Sequence, residues 1–235
     1  MFNKLWKSTF CSKYTTNIAA QCQYFYISKS NLIMNKFQIS ENKINLIRNI
    51  LHKPDGVIAF PTDTVWGIGC LPENNEAVNR IYSLKNRSEI KPLILLGSKI
   101  EHLVPYLKEI HPIASKIIKE YFPGAVTLVL TKSEKTPDYI TSGYNTVGIR
   151  VPDCPLLLEI LEKSVEGHVL ATTSANISGM KPPVSKQDVI KGLGGKIDYI
   201  MDDYGYISGG IESTVLATDD FGGFKILRAG AVNII

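Results

Sequence analysis

The chain has 235 residues, enough to bury the core of one domain or of two small ones. Hydrophobic residues make up 44% and charged residues 20%, a globular balance that excludes a collagenous or low-complexity chain. No apolar run approaches the roughly 20 residues of a membrane helix, and a formal charge of +4 is too small to carry general nucleic-acid affinity.

That charge is unevenly placed. Residues 1–40 hold Lys4, Lys7, Lys13, Lys29 and Lys36 and no acid, whereas the rest carries 21 basic and 22 acidic side chains. Phe2, Trp6 and Phe10 recur every four residues among Ser and Thr. An acid-free, hydroxyl-rich, amphipathic start resembles an organelle transit peptide, though it holds no Arg. The expected setting is the cytoplasm, with a working start at Met34, and the alternative is the mitochondrion if residues 1–40 are a transit peptide. Either way, residues 1–40 are set apart as an extension, and 41–235 as the folded domain.

Ser40 is placed to cap a helix that runs to about His52, with Ile44, Ile47 and Leu51 on one face, and Pro54-Asp55-Gly56 ends it. "VIAF" then reads as a buried strand. "NNEAVNRIYSLK" has helical spacing in Val78, Ile81 and Leu84, "PLILLGS" is a strand, and residues 100–122 are mostly helical, broken at Pro105 and Pro112. "AVTLVLTK", "TVGIRVP", "VLATTSA", "STVLAT" and "FKILRAG" are further strands, with "LLLEILEK" and "KQDVIKGL" helical between them. Helices and strands interleave, but some strands follow one another after short turns. The predicted fold is α/β, a twisted mixed sheet with flanking helices.

The four cysteines, Cys11, Cys22, Cys70 and Cys154, form no C-x-x-C pair, and the four histidines are scattered. Neither a disulfide framework nor a zinc site is indicated, and no metal ligands are assigned. Polar chemistry concentrates in five places instead, each at the end of an apolar strand, where open α/β sheets hold ligands. In "PTDTVWGIG", alternation puts Thr62 and Thr64 on one wall with Asp63 opposite, and Gly67 and Gly69 would admit a ligand close to the backbone. The alternative is an ordinary turn. Lys85, Arg87 and Lys91 form a cation group suited to a polyphosphate, or else a solvated helix end. Arg150 lies inside an apolar strand and needs an anion, either a ligand or an internal carboxylate.

Thr172, Thr173, Ser174 and Asn176 crowd one strand exit, more polar groups than a cap requires. Gly209-Gly210, Ser213, Thr214 and Arg228 make the fifth group, a Gly-rich loop able to cradle phosphate. No catalytic triad order, H-E-x-x-H or G-x-S-x-G occurs. Hydroxyls, an Asn and fixed cations suit a reaction whose substrates carry the nucleophile and whose protein positions them and neutralises phosphate charge.

Together "PTDTVWGIG", Lys85-Asn86-Arg87 with "KPL", "FPGAVTLVL", "VGIRVP", "TTSANISG" and "ESTV" with "LRAG" resemble the YrdC/TsaC family of threonylcarbamoyl-AMP synthases. The resemblance runs from about Asn42 onward, with six motifs in the family's order. It implies a YrdC-like, dsRBD-like twisted open sheet with a positively lined concave site. It also implies condensation of L-threonine, bicarbonate and ATP to threonylcarbamoyl-AMP and pyrophosphate, with Mg2+ accompanying ATP. The product would feed the threonylcarbamoyl-transfer machinery that makes t6A in tRNA, with weak tRNA binding and no membrane association.

By position, the resemblance assigns Thr64, Ser174 and Ser213 to threonine. It assigns Lys85, Arg87, Lys91, Arg150, Asn176 and Arg228 to ATP, and Lys85, Arg87, Ser174 and Asn176 to a catalytic cluster. Trp66 stands where many relatives carry Tyr, and Leu96 where longer relatives often carry His. With "LRAG" so near the end, the extra C-terminal domain of the two-domain relatives is expected to be absent. Two other readings remain: a non-catalytic double-stranded RNA or tRNA binder, and a carbamoyl-transfer maturation factor.

Overall fold

The structure, a computed structural model, describes residues 39–85, 91–218 and 223–234. The predicted extension 1–40 lies outside the described residues except for Ile39 and Ser40. The first helix, α1, spans Glu41–Leu51, and Ser40 occupies its N-cap without the expected side-chain bond. A bend follows, then β1 (Ile58–Phe60) and β2 (Gly67–Cys70), paired antiparallel. Helix α2 (Asn75–Leu84) is capped by Asn74, whose side chain accepts from Ala77 N. Strand β3 is Ile94–Gly97.

The stretch from residue 100 breaks where its prolines predict. Short α3 (Ile100–Leu103) passes into a 3-10 turn at Val104–Tyr106 that holds Pro105, and Pro112 opens α4 (Pro112–Tyr121). A missing N–H is tolerated at a first helical turn and breaks an interior one. Then come β4 (Val126–Thr131), α5 (Asp138–Thr141), β5 (Thr146–Arg150), α6 (Pro155–Ser164) and β6 (Val169–Ser174). The chain continues through α7 (Lys186–Leu193), β7 (Tyr199–Ile200), β8 (Thr214–Thr218) and β9 (Phe224–Arg228).

Among the described residues the nine strands form one mixed sheet in the order β7-β1-β2-β6-β3-β5-β4-β8-β9. The β1–β7, β3–β5 and β4–β8 pairs are parallel and the others antiparallel. This is the predicted twisted α/β architecture, with β2 and β7 added. Helix α6 buries Leu156, Leu157, Ile160 and Leu161 and packs on α1, so an apolar layer forms between helices and sheet. No helix among the described residues is long and apolar enough to cross a membrane.

The glycines of β2 follow from packing. A Cβ on Gly67 would lie 2.9 Å from the Phe60 ring, and one on Gly69 would lie 2.9 Å from Thr172 Cγ2 and 3.1 Å from the same ring. Phe60 is fully buried across these two residues. They make room for an aromatic neighbour; of the two, Gly67 also lines the hollow described below and Gly69 does not.

Candidate active site

A hollow opens on the sheet, and all of its lining residues come from strands or loops. It is bounded by Thr62, Thr64, Val65, Trp66 and Gly67; by Ile94 and Leu96 of β3; and by Arg150 at the end of β5. Thr172, Thr173 and Ser174 of β6, with Glu212, Ser213 and Arg228, complete it. Cross-strand register explains the convergence. Gly67 stands opposite Ser174, Ile94 opposite Thr172, and Leu96 beside Arg150. Ile94 and Leu96, like Thr172 and Ser174, are two residues apart and share a face. The hollow therefore extends over a sheet face rather than only around the strand ends, where it was predicted.

Residues 62–66 form a bend with its own hydrogen bonds. Thr62 Oγ1 donates to Val65 O at 2.7 Å and accepts from the amides of Thr64 and Val65 at 3.1 and 3.3 Å. Outside contacts pin the backbone. Ser208 Oγ donates to Thr62 O at 2.8 Å, Gly209 N to Asp63 O at 3.0 Å, and Gly210 N to Thr64 O at 2.7 Å. The Gly209-Gly210 amides are thus committed to this bend, which corrects their predicted role as a phosphate cradle.

Arg150 is 4% exposed. Its Nε donates to Gly124 O at 2.8 Å, Nη1 to Thr64 Oγ1 at 2.9 Å, and Nη2 to Asp63 Oδ1 at 2.6 Å. The internal carboxylate is the reading the structure bears out for its anion. Asp63 does not face away from Thr64 as strand alternation predicts, because the chain has left the strand after Phe60 and one guanidinium reaches both side chains. A buried ion pair with every partner matched fixes an orientation more than it adds stability.

Lys85, 1% exposed, follows α2. Its Nζ donates to Ser174 O, to Ser174 Oγ at 3.4 Å and to Asn176 Oδ1 at 3.3 Å. Ser174 Oγ donates to Asn176 Oδ1 at 2.6 Å. Lys85, Ser174 and Asn176 therefore form one cluster, as the motifs predict. Arg87 lies outside the described residues. Lys91 is exposed in the approach to β3 and does not line the hollow.

At the opposite wall, Arg228 donates through Nε and Nη2 to Ser213 O at 3.2 and 2.9 Å, and through Nη2 to Ser213 Oγ at 3.2 Å. Its Nη1 reaches Glu212 Oε1 at 2.8 Å. Ser213 Oγ is also 2.8 Å from Thr127 Oγ1 on β4. Thr127, Glu212 and the pairing of Asp63 with Arg150 were missed from sequence. Each partnership except Glu212–Arg228 spans about 90 positions in the chain, and no local spacing announces it.

Cys154 lies behind the bend, its thiol 3.6 Å from Pro61 O. Burial pushes this thiol up to about 12 and Cys70 likewise, so both stay protonated and neither is a nucleophile at neutral pH. The hollow therefore offers six hydroxyl side chains and two guanidiniums already aimed by carboxylates, with the Lys85 ammonium buried behind Ser174. Such a set binds and polarises; it does not attack.

Fold and site together define a small polar hollow, lined by hydroxyls and two guanidiniums, on an open mixed α/β sheet. Residues 50–230 match the Sua5/YciO/YrdC family model, described as telomere recombination, and the chain belongs to that family. It is 38% identical over 179 residues to a protein of Pyrococcus abyssi named threonylcarbamoyl-AMP synthase, covering 76% of this chain and 52% of that one. Among solved structures, P. abyssi Sua5 complexed with L-threonine superposes with a TM-score of 0.75 at 37% identity, over 83% of this chain and 56% of that one. E. coli YciO gives 0.72 at 25% identity, over 83% and 92%. The chain spans about half the length of the P. abyssi relative.

Proposed function

We propose that residues 41–235 form the catalytic domain of an L-threonylcarbamoyladenylate synthase, a nucleotidyltransferase acting on L-threonine, bicarbonate and ATP. The observation that carries the reading is the meeting, in one hollow, of Thr64, Ser174 and Ser213 with Arg150 and Arg228, backed by the Lys85–Ser174–Asn176 cluster. Three hydroxyls suit a hydroxy amino acid, and the cations suit its carboxylate and the nucleotide phosphates.

The threonine amine attacks the carbon of carbon dioxide, supplied by bicarbonate, and loses a proton to give a carbamate. A carbamate oxygen then attacks the α-phosphorus of ATP, and the bond to the β-phosphate bridging oxygen breaks to release pyrophosphate. The protein supplies no covalent partner. Lys85 and Arg150, with Arg87, hold the substrates and offset the charge that develops on the phosphoryl oxygens, and Lys91 and Asn176 assist in holding the nucleotide. Among the described residues no cluster of three His, Cys, Asp or Glu side chains forms a metal-binding group, so Mg2+ would enter on the phosphate oxygens of its nucleotide.

The product would pass to the machinery that transfers the threonylcarbamoyl group to tRNA. The setting is the cytoplasm, or the mitochondrion if residues 1–40 act as a transit peptide; the mass of the mature N-terminus separates these. The test of the activity is pyrophosphate release by purified protein. Release that needs ATP, bicarbonate and threonine together, with a product of threonylcarbamoyl-AMP mass, is expected. Release driven by carbamoyl phosphate without threonine, or tight tRNA binding without turnover, overturns the reading.

A further inference from the structure

We infer that Thr62 is a positioning residue: it makes Thr64 a hydrogen-bond acceptor only, so that the hollow selects an amino acid bearing a neutral donor on its side chain. This rests on the threonine-binding reading above and gives it a physical basis for specificity.

A hydroxyl has one proton and two lone pairs. Thr62 Oγ1 lies 2.7 Å from the Val65 carbonyl oxygen. A carbonyl can only accept, so the Thr62 proton is there. The amides of Thr64 and Val65 share one Thr62 lone pair through longer contacts of 3.1 and 3.3 Å, and, with the Thr62 proton committed, the shorter 2.9 Å contact between Thr62 Oγ1 and Thr64 Oγ1 is donated by Thr64 into the other. Arg150 Nη1 donates to Thr64 Oγ1 at 2.9 Å and occupies one lone pair. What Thr64 has left for a ligand is its second lone pair.

Ser174 is set the same way by different neighbours. Asn176 Nδ2 donates to the carbonyls of Ile177 at 3.1 Å and Met180 at 2.6 Å. That orients Asn176 Oδ1 as the acceptor of the Ser174 proton at 2.6 Å. Two hydroxyls of the hollow therefore accept and do not donate.

The donor that meets Thr64 is best uncharged. The Arg150 guanidinium is already 2.9 Å from that oxygen, and an ammonium bonded there would face it at close range. A side-chain O–H carries no such penalty. An amino acid of the same shape without the hydroxyl leaves a buried acceptor unmatched, and sites of this kind reject such analogues strongly.

The test compares wild type, Thr62→Val and Thr62→Ser by calorimetric Kd for L-threonine and for its isostere L-valine. Melting temperatures confirm the fold, which the Ser208, Gly209 and Gly210 contacts to the bend should preserve. Wild type should bind threonine about a hundredfold more tightly than valine. In Thr62→Val the Thr64 hydroxyl is free to turn, and the ratio should shrink about tenfold or more through weaker threonine binding. Thr62→Ser should restore it. A ratio unmoved in folded Thr62→Val, threonine and valine weakening together, or a wild type that binds no threonine overturns the inference. A wild type that binds threonine selectively but releases no pyrophosphate defeats the synthase reading alone, and the ratio still decides the role of Thr62.

Discussion

Lys85 shows what one residue contributes. A buried ammonium donating to three oxygens is both a structural tie and a fixed charge beside the hollow. Lys85→Met keeps most of the stem and removes the charge. Its turnover should fall about a hundredfold or more, the loss typical of one preorganised donor, with a stability cost of about 1–3 kcal/mol from the unmatched Ser174 carbonyl. Steady-state kinetics and denaturant unfolding measure the two separately. Turnover within threefold of wild type would remove Lys85 from the chemistry.

Asp63 acts through Arg150. Asp63→Ala leaves a guanidinium that is 4% exposed without its carboxylate, a loss of about 3–5 kcal/mol for a buried pair, and Asp63→Asn should be milder. Denaturant midpoints distinguish these, and equal stability of wild type and Asp63→Ala would contradict the ion pair. Cys70 and Cys154, both held near 12 by burial, should resist alkylation at pH 8 in native protein and react after unfolding. Peptide mass spectrometry reads this directly.

At the scale of elements, the helix-to-strand joints govern both stability and site placement. Helix α7 starts in a capping box. Ser185 Oγ accepts from Asp188 N at 3.2 Å, and Asp188 Oδ2 accepts from Ser185 N at 3.1 Å. The Ser185 hydroxyl and then the Val184 amide hold the Asp188 carboxyl below its ordinary range. A depressed folded value stabilises above the unfolded pKa near 3.8 and is lost as pH falls through the folded one. Asp188→Ala should cost about 1 kcal/mol near neutral pH and less at acid pH; a cost independent of pH would contradict the cap.

His102, on α3, behaves similarly with the opposite charge change. Burial first, then the His168 ring centred 4.5 Å away, lower its pKa, with Glu162 and Glu101 opposing and Lys99 assisting. The neutral form is favoured when folded, so its contribution is complete above about pH 6.5 and declines on acidification. His102→Gln should flatten the fall in melting temperature between pH 7 and 5.

The elements that were legible from sequence are those whose pattern is local. Ile44, Ile47 and Leu51 mark α1, the prolines at 105 and 112 mark the breaks, and the β-branched runs mark β4 and β5. Strand β2 was not legible, because "GIGC" carries two residues that weaken strands in isolation. Only the Phe60 ring lying across them explains the choice. Strand β7 has two residues, too few for any periodicity.

Across the whole molecule, the sequence picked out several residues that meet in one hollow but not how they are joined. Thr64, Arg150, Ser174, Ser213 and Arg228 all line the same hollow, while Lys91 stands apart from it. What no linear reading supplies is the pairing of Ser213 with Thr127 and of Arg228 with Glu212, which follow the β4–β8 and β8–β9 registers, or of Arg150 with Asp63, which the bend after β1 sets. Both guanidiniums carry a carboxylate partner, so the site is less positive than its cations alone suggest, in keeping with a body of nearly balanced charge. On the proposed function, anion binding would rely on aimed donors more than on net charge, so pyrophosphate release should depend only weakly on salt between about 50 and 200 mM, whereas a nucleic-acid contact would show a steep dependence.

The most direct measurement is a crystal structure grown with L-threonine and a non-hydrolysable ATP analogue. Threonine within hydrogen-bond reach of Thr64, Ser174 and Ser213, with phosphates against Arg150 or Lys85, is the predicted result. Ligands seated elsewhere on the sheet, or an empty hollow at saturating concentrations of both, would contradict it.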